Sequence, residues 1–289
     1  MATKILLIGS YNGHDSLGDE CLLESVMTQF CRVLEKPEFT LHAHDPHTEF
    51  TKYLQGRYDF KCNQGIQSQF WWWRNKWRHL HVPLPVYSTV VAVFFPFYLL
   101  ASLFVPGSKE GLACRQICHA DIVYVFGGTN FSRQWFWLNA PYYFATSLLA
   151  AVCGGHTWYA TQQYGPMTPW QVRWMKWNLK WLVKDFRVRN PDCLTILGET
   201  DSRRQTWDEV YSNRLLYPVN VPEVSPDRYI LLNLRCGDLI SRFTYSEGDL
   251  ENFIALLQKI QQSIGLPFRF FAVSGESFCE DEQTVRILR

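Results

Sequence analysis

The residues best suited to chemistry lie where a short apolar run gives way to glycine and polar side chains. Residues 6–30, LLIGSYNGHDSLGDECLLESVMTQF, begin as a strand and continue as a helix with one apolar face. A glycine loop before a helix N-terminus offers backbone N–H groups and the positive end of the helix dipole, which suit phosphate or carboxylate. The spacing of Ser16 and Asp19 equally fits a capping box. Because the loop lacks the GxGxxG and Walker A patterns, both interpretations stay open.

Two later apolar runs, within residues 120–134 and 156–166, also end in glycine and polar side chains. Ligands of open α/β sheets bind outside the carboxyl ends of the strands, where glycine lets them approach the backbone. Amide side chains at that edge suit sugar hydroxyls, although a Gly-Gly pair also serves a tight turn. The candidate substrate-binding residues in these runs are Gly127, Gly128, Thr129, Asn130, Gln162, Gln163 and Gly165.

Strand-like segments alternate with helical patterns along most of the chain. That alternation predicts an α/β fold with a doubly wound parallel sheet over residues 1–215. Residues 216–227 contain several prolines and predict a linker. Residues 228–289 predict the start of a second Rossmann-like domain: a strand at RYILLNLR, a helix with Ser246 or Asp249 as N-cap and Gly265 as C-cap, and a second strand at FRFFAVSG. We expect this domain to be incomplete because its few elements cannot cover a parallel sheet.

Composition and charge exclude several classes of protein. The formal net charge of +1 comes from 28 basic and 27 acidic residues, so no overall field attracts nucleic acid. The nine cysteines include no CxxC pair, which indicates buried thiols in a reducing compartment. The first strand-like run begins at Lys4 and leaves no room for a secretory signal, so we expect a cytoplasmic protein. His42 and His44, with Asp45, resemble a metal site, but alternation favours one face of a strand, and we expect no metal and no cofactor.

Five segments follow one another along the chain: GSYNGHDSLGDECLLESV, ADIVYVFGGTNF, QQYGPM, RVRNPDCLTILG and YILLNLR. Together they resemble the successive signature segments of the polysaccharide pyruvyl transferase family, between residue 5 and residue 235. The resemblance implies a glycosyltransferase-B-like fold of two Rossmann-type domains. It also implies transfer of a pyruvyl group from phosphoenolpyruvate to two sugar hydroxyls, which forms a ketal on a cell-surface polysaccharide or its lipid-linked precursor.

The resemblance assigns roles to residues of the first two segments. Gly18, Asp19 and Glu20 fall on the family's Gly-Asp-Glu helix start. Gly127 and Gly128 fall on its glycine turn. Asp19 is therefore the candidate base or acceptor-orienting group, and the other four residues are candidates for substrate binding.

Two arginines of the later segments match the family in part. Arg189 matches the arginine of an Arg-Asp pair, but this chain has Asn190 in place of the aspartate and Cys193 in place of a serine. Arg235 falls where the family places an arginine suited to the anionic donor. A guanidinium group binds phosphate or carboxylate bidentately, so Arg235 is the candidate catalytic anion clamp and Arg189 a candidate substrate-binding residue.

Two alternatives to pyruvyl transfer stay open. One is a nucleotide-sugar-dependent glycosyltransferase of the same two-domain plan. The other is a catalytically inactive, membrane-associated relative, suggested by Asn190 and by the lack of a counterpart to the family's later basic or histidine motif. The expected partners are phosphoenolpyruvate and a sugar acceptor, without nucleic acid, and whether the chain forms an oligomer stays open.

Tryptophan and apolar residues cluster in two places. Residues 66–106 form a Trp-rich apolar insertion that includes the uncharged run 86–105. The run is long enough to span a membrane. If strands 4–9 and 121–126 share one sheet, however, both ends of the run lie on the same side of any membrane, and Pro96 predicts a bent pair of short helices. At 100° per residue, Trp170, Trp174, Trp177 and Trp181 form one stripe beside basic residues and opposite aliphatic ones. We expect peripheral contact with the inner face of the membrane, with plain burial as the alternative.

Overall fold

The computed structural model describes residues 2–9, 17–43, 45–66, 83–105, 107–127, 130–131, 136–206, 230–232 and 247–270. Contacts divide the chain into two compact units. The first contains residues 1–13 and 21–216, and the second contains residues 14–20 and 217–289. The predicted linker, residues 216–227, lies outside the described residues.

The described part of the first unit contains one sheet of six parallel strands. The strands are Thr3–Gly9 (β1), Pro37–Ala43 (β2), Phe60–Gln64 (β3), Ile122–Phe126 (β4), His156–Gln162 (β5) and Val183–Val188 (β6). Their order is β3-β2-β1-β4-β5-β6, and every neighbouring pair is parallel. This is the strand order of a doubly wound Rossmann-type sheet, so the predicted α/β fold with a parallel sheet is confirmed.

Helices cover both faces of this sheet. They are Leu17–Val33 (α1), Glu49–Gln55 (α2), Leu84–Ser102 (α3), Lys109–His119 (α4), Phe136–Val152 (α5), Pro169–Trp181 (α6) and Pro191–Leu197 (α7). Leu7 of β1 belongs to the buried cluster that α1 and α2 complete. Leu6 and Ile8 belong to the opposite cluster, which α3 to α7 complete. The side-chain alternation of a strand thus divides the core into two layers.

Polar side chains fix where two of the helices begin. Thr48 precedes α2 and forms a capping box with Thr51, and Thr168 precedes α6 and forms one with Gln171. Pro169 occupies the first turn of α6, where the missing N–H would have no partner within the helix. These caps define the ends of helices whose lengths the apolar periodicity alone leaves uncertain.

The apolar run forms one helix, α3, rather than the predicted bent pair. Pro96 lies inside this helix. A proline in a helix interior costs about 3 kcal/mol or more. Tyr87, Val91, Phe95 and Leu99 recur at every fourth position and are buried, and this burial offsets the cost because α3 packs along α5. Within the described residues, no helix has both the length and the apolarity needed to cross a membrane.

The described part of the second unit is a β-α-β element. Ile230–Leu232 (β7) pairs in parallel with Phe268–Phe270 (β8), and the helix Glu247–Ile264 (α8) lies between them in the chain. The predicted strand-helix-strand order is confirmed over these residues. Gly265 has a φ of 71° and ends the helix as predicted. Asp249 lies inside the helix and is not its N-cap, and Ser246 lies outside the described residues.

Candidate functional site

The carboxyl ends of β1 and β4 form the centre of the candidate site. The strand order reverses between these two strands, because β2 and β3 lie on one side of β1 while β5 and β6 lie beyond β4. Ligands of doubly wound sheets bind at this reversal point. Gly9 pairs with Phe126 there, and a Cβ atom on Gly9 would lie 2.2 Å from the Phe126 carbonyl oxygen. Gly127 follows with a φ of 119°, a conformation that favours glycine.

Two predicted binding residues, Asn130 and Gln162, form a buried amide pair at this edge. Asn130 Nδ2 donates to the Phe126 carbonyl oxygen at 3.1 Å and to Gln162 Oε1 at 3.2 Å. Gln162 Nε2 donates to the Val125 carbonyl oxygen at 3.4 Å, and the Gln162 side chain is fully buried. Because both ends of the Gln162 amide are hydrogen-bonded inside the protein, the pair fixes the turn after β4 against the end of β5.

The chain that follows β5 is held to the same edge by backbone contacts. The Gly165 N–H donates to the Phe131 carbonyl oxygen at 3.3 Å, and the rings of Phe131 and Tyr164 stack with centroids 5.4 Å apart. The Arg189 N–H donates to the Gln162 carbonyl oxygen at 3.0 Å. Gln163 is half-buried at the end of β5. The structure therefore brings Asn130, Gln162, Gly165 and Arg189 to one edge of the sheet, as their positions after parallel strands predict.

Cys193 has a structural contact at the position where the resembling family has a serine. Its side chain is buried in α7, and the Tyr164 N–H donates to its Sγ atom at 3.2 Å. Asn190 occupies the N-cap position of α7 but makes no side-chain cap hydrogen bond. The thiol thus anchors the chain after β5 to α7, which is a role that a serine hydroxyl could also fill.

The first turn of α1 contains the three residues of the predicted Gly-Asp-Glu start. Gly18 is exposed, and Asp19 and Glu20 are half-buried. Acidic side chains in a first turn stabilise a helix through its dipole. The predicted capping partner, Ser16, lies outside the described residues, so the capping box stays a prediction. Gly128, Thr129 and Arg235 also lie outside the described residues.

The structure contains a charged cluster beside β6 that the sequence analysis did not predict. Arg204 pairs with Asp185 at 2.9 Å and with Glu199 at 3.2 Å, and its guanidinium lies 4.2 Å from the centre of the Phe186 ring. Arg187 pairs with Asp185 at 2.9 Å. The alternation in VKDFRV places Asp185 and Arg187 on one face of the strand, so part of the signal was in the sequence. The cluster holds residues 199–204 against β6, the edge strand of the described sheet.

His42 is a buried neutral histidine. Its Nε2 atom lies 2.8 Å from Gln116 Oε1 of α4, and burial lowers the pKa of His42 to about 4. His42 lies in β2, whereas His44 lies outside the described residues, so their placement on one face of a strand stays a prediction. Asp45 accepts a hydrogen bond from the His47 N–H. No three His, Cys, Asp or Glu side chains in the described part of the chain could together hold a metal ion.

The described cysteines are free thiols, but they are not all buried as predicted. Cys31 and Cys153 are exposed. Burial, together with the thiol of Cys153, raises the pKa of Cys118 to about 12. Burial raises the pKa of Cys114 to about 12 as well. Because the thiolate is the reactive form, Cys114 and Cys118 are poor nucleophiles at neutral pH.

Helix α6 separates its aliphatic and aromatic faces as predicted, with one exception. Met175 and Leu179 are buried against the core, and Trp177 and Trp181 are exposed. Trp174 is only half-buried, because its ring packs on Phe136 and Phe144 of α5, with centroid distances of 5.6 and 5.3 Å. The aromatic stripe therefore reaches from solvent to the α5 helix.

Comparison of the chain with protein-family models, with curated proteins and with solved structures gives no match. The resemblance to polysaccharide pyruvyl transferases thus rests on the five sequence segments. Three of those segments contribute Gly127, Asn130, Gln162, Gly165 and Arg189 to the edge of the sheet. These three segments therefore lie at the same edge of the sheet, which their order in the sequence alone does not require.

Proposed function

We propose that the chain transfers the pyruvyl group of phosphoenolpyruvate to two hydroxyls of a sugar. The acceptor belongs to a cell-surface polysaccharide or its lipid-linked precursor, and the fold of the whole chain is glycosyltransferase-B-like. The observation that carries the proposal is the glycine-bearing edge at the reversal point of the sheet, where Gly9 ends β1 against the Phe126 carbonyl and Gly127, with a φ of 119°, follows β4. The five resembling segments supply the reaction class.

The proposed reaction has two steps, an addition and a substitution. A proton adds to the terminal CH₂ carbon of the enol, and the first sugar hydroxyl adds to the adjacent carbon, which keeps its phosphate. The second hydroxyl then replaces the phosphate on that carbon, so the products are a cyclic ketal and orthophosphate. The reaction requires a group that takes protons from the hydroxyls and a cation that holds the donor's anionic groups. Asp19 is assigned the first role and Arg235 the second.

The two roles are assigned together because the resemblance places Asp19 and Arg235 in two of its signature segments. Asp19 also lies in the first turn of α1, where the helix dipole favours an anionic ligand as well as an anionic side chain.

Two measurements separate pyruvyl transfer from nucleotide-sugar chemistry. Calorimetric titration of the full chain should show binding of phosphoenolpyruvate and none of UDP-glucose. Orthophosphate should be released from phosphoenolpyruvate when a panel of methyl hexosides is present. UDP-glucose binding with release of UDP, and no orthophosphate from phosphoenolpyruvate, would instead support a glycosyltransferase. Binding of neither compound would support the inactive relative.

Substitutions at the two assigned residues test the roles separately. Arg235→Lys keeps the charge but loses bidentate geometry, so donor affinity should fall. Asp19→Asn should retain donor binding and abolish turnover, because an amide does not accept the hydroxyl proton. If Asp19 only caps α1, the same change should leave turnover intact, since Asn caps a helix nearly as well as Asp.

A further inference from the structure

The outward face of α3 is apolar although it is exposed to solvent. Phe94 and Phe97 are 60% and 67% exposed, and Val86, Val93 and Leu100 are exposed beside them. The opposite face of the same helix is buried against α4 and α5. A helix that is apolar on all sides is normally buried on all sides, whereas the described part of the chain leaves half of α3 exposed.

The outward face of α6 adds aromatic rings and positive charge. Trp170, Trp177 and Trp181 are 58%, 48% and 63% exposed. Arg173, Lys176 and Lys180 are also exposed, and Lys180 lies 5.1 Å from the centre of the Trp181 ring. Tryptophan beside lysine and arginine is the composition of the boundary between lipid headgroups and acyl chains.

These two faces lie on the same side of the sheet. Helices α3, α5 and α6 all contribute to the buried cluster opposite α1 and α2. Helix α5 packs against α3, and its Phe144 ring lies 5.3 Å from Trp174 and 5.7 Å from Trp177 of α6. The tryptophans thus occupy the half of the α6 surface that borders α5. The basic residues lie beyond them, farther from α5, by the 100° advance per residue.

The geometry points to a docking surface for an anionic lipid membrane, formed by the exposed faces of α3 and α6. The apolar side chains of α3 would enter the acyl boundary, the tryptophans would lie at headgroup level, and Arg173, Lys176 and Lys180 would contact lipid phosphates. Neither helix contains an acidic residue, so no charge on these two helices opposes contact with an anionic leaflet. The surface goes beyond the proposed reaction, because it requires neither phosphoenolpyruvate nor a sugar.

Charge and shape favour a membrane over a second copy of the chain. A copy that docked through the same surface would bring the basic residues of two α6 helices together, and like charges oppose that contact. A protein partner remains an outcome of the test below. An anionic membrane suits both the apolar side chains of α3 and the basic residues of α6, because it has an apolar interior beneath a negative surface.

Vesicle sedimentation with the full chain and no substrate tests the surface. The vesicles contain phosphatidylcholine alone or phosphatidylcholine with phosphatidylglycerol. The first variant is Phe94→Ser with Phe97→Ser, and its control is Val33→Ser, which changes an exposed apolar residue of α1 on the other side of the sheet. The second variant is Lys176→Gln with Lys180→Gln, and its control is Lys36→Gln.

We expect wild type and both controls to sediment with the anionic vesicles. The phenylalanine variant should lose at least tenfold in partitioning while its melting temperature stays unchanged. The lysine variant should lose about fivefold per neutralised side chain on anionic vesicles only, with the loss disappearing at high salt.

Three results would overturn the inference. The first is that wild type sediments with neither vesicle, and the second is that the phenylalanine variant sediments as wild type does. The third is a wild-type dimer in sedimentation velocity that becomes monomeric in the phenylalanine variant, without vesicle binding, because the face would then join two copies. All three leave the proposed reaction untouched, since orthophosphate release from phosphoenolpyruvate is measured without lipid.

Discussion

The first unit has two surfaces that differ in how completely their side chains interact with the rest of the protein. At the carboxyl edge of the sheet, Asn130 and Gln162 are polar but hydrogen-bond to each other and to the backbone. On the outer helical face, Phe94 and Phe97 are apolar but exposed. Residue type suggested ligand contact at the first surface, and membrane contact with plain burial as the alternative at the second. A side chain is available to a partner when its interactions inside the protein are incomplete, and residue type alone does not show this.

Neighbouring residues show the contrast within single elements. Phe94 and Phe95 are adjacent in α3, yet one is exposed and the other fully buried. Gln162 and Gln163 are adjacent at the end of β5, yet one is fully buried and the other half-exposed. Each pair gives a substitution and its matched control on the same stretch of backbone.

The largest expected effect separates the two phenylalanines. Phe95→Ala should lower the free energy of unfolding by about 3–5 kcal/mol, because it leaves a cavity in the core. Phe94→Ala should change it by about 0.5 kcal/mol or less, as is usual for an exposed position. Urea unfolding of the two variants measures both values. Equal losses would mean that Phe94 is covered in solution, and the contrast between the faces of α3 would disappear.

Acid should destabilise the chain through His42. Its pKa is about 4 in the folded chain and about 6.5 in the unfolded chain, so the unfolded state binds the proton first as the pH falls. The stability contributed by neutral His42 is present above pH 6.5 and is lost progressively down to pH 4, by about 3 kcal/mol in full. Unfolding of wild type and His42→Gln at pH 7 and pH 4.5 should show the larger decrease in wild type. Parallel decreases would show that other groups account for the acid sensitivity.

The amide pair gives a smaller effect on stability. Gln162→Ala should cost about 2 kcal/mol, because it leaves a hydrogen-bonding group of Asn130 and the Val125 carbonyl without a partner. Gln163→Ala should leave stability within about 0.5 kcal/mol of wild type. Thermal unfolding checks both, and substrate binding by the Gln163 variant shows whether this half-exposed amide contacts the acceptor. Unchanged stability of Gln162→Ala would show that the Gln162 amide does not stabilise the fold, and a role in binding the ligand would then be favoured.

The smallest expected loss of stability occurs at Gly18. A Cβ atom there would meet no described atom within 4 Å, and Ala favours a helix over Gly by about 1 kcal/mol. Gly18→Ala should therefore fold at least as well as wild type. Reduced affinity for phosphoenolpyruvate in calorimetry would show that a ligand occupies this space. Unchanged affinity would remove Gly18 from the candidate site.

Sequence patterns predicted the elements of the sheet better than the state of individual side chains. Strand-like segments predicted all six strands of the described sheet. IVYVF of β4 is the continuous apolar run that a buried parallel strand requires, whereas VKDFRV of β6 alternates. The continuity of α3 through Pro96 was missed, since packing along α5 offsets the local cost of proline. Trp174 was placed with the exposed tryptophans, but its contact with Phe136 depends on a neighbouring helix that the helical wheel does not contain. The pairing of Asn130 with Gln162 joins residues 32 positions apart, a contact that spacing does not reveal.

The most direct test of the proposed reaction is to run it in deuterium oxide with phosphoenolpyruvate and the panel of methyl hexosides. Proton addition to the terminal CH₂ carbon of the enol predicts a ketal whose methyl group carries one solvent deuterium, together with free orthophosphate. Nuclear magnetic resonance and mass spectrometry of the product detect both features. Recovery of unchanged phosphoenolpyruvate, with transfer of a glycosyl group from UDP-glucose to the same acceptors, would contradict the account.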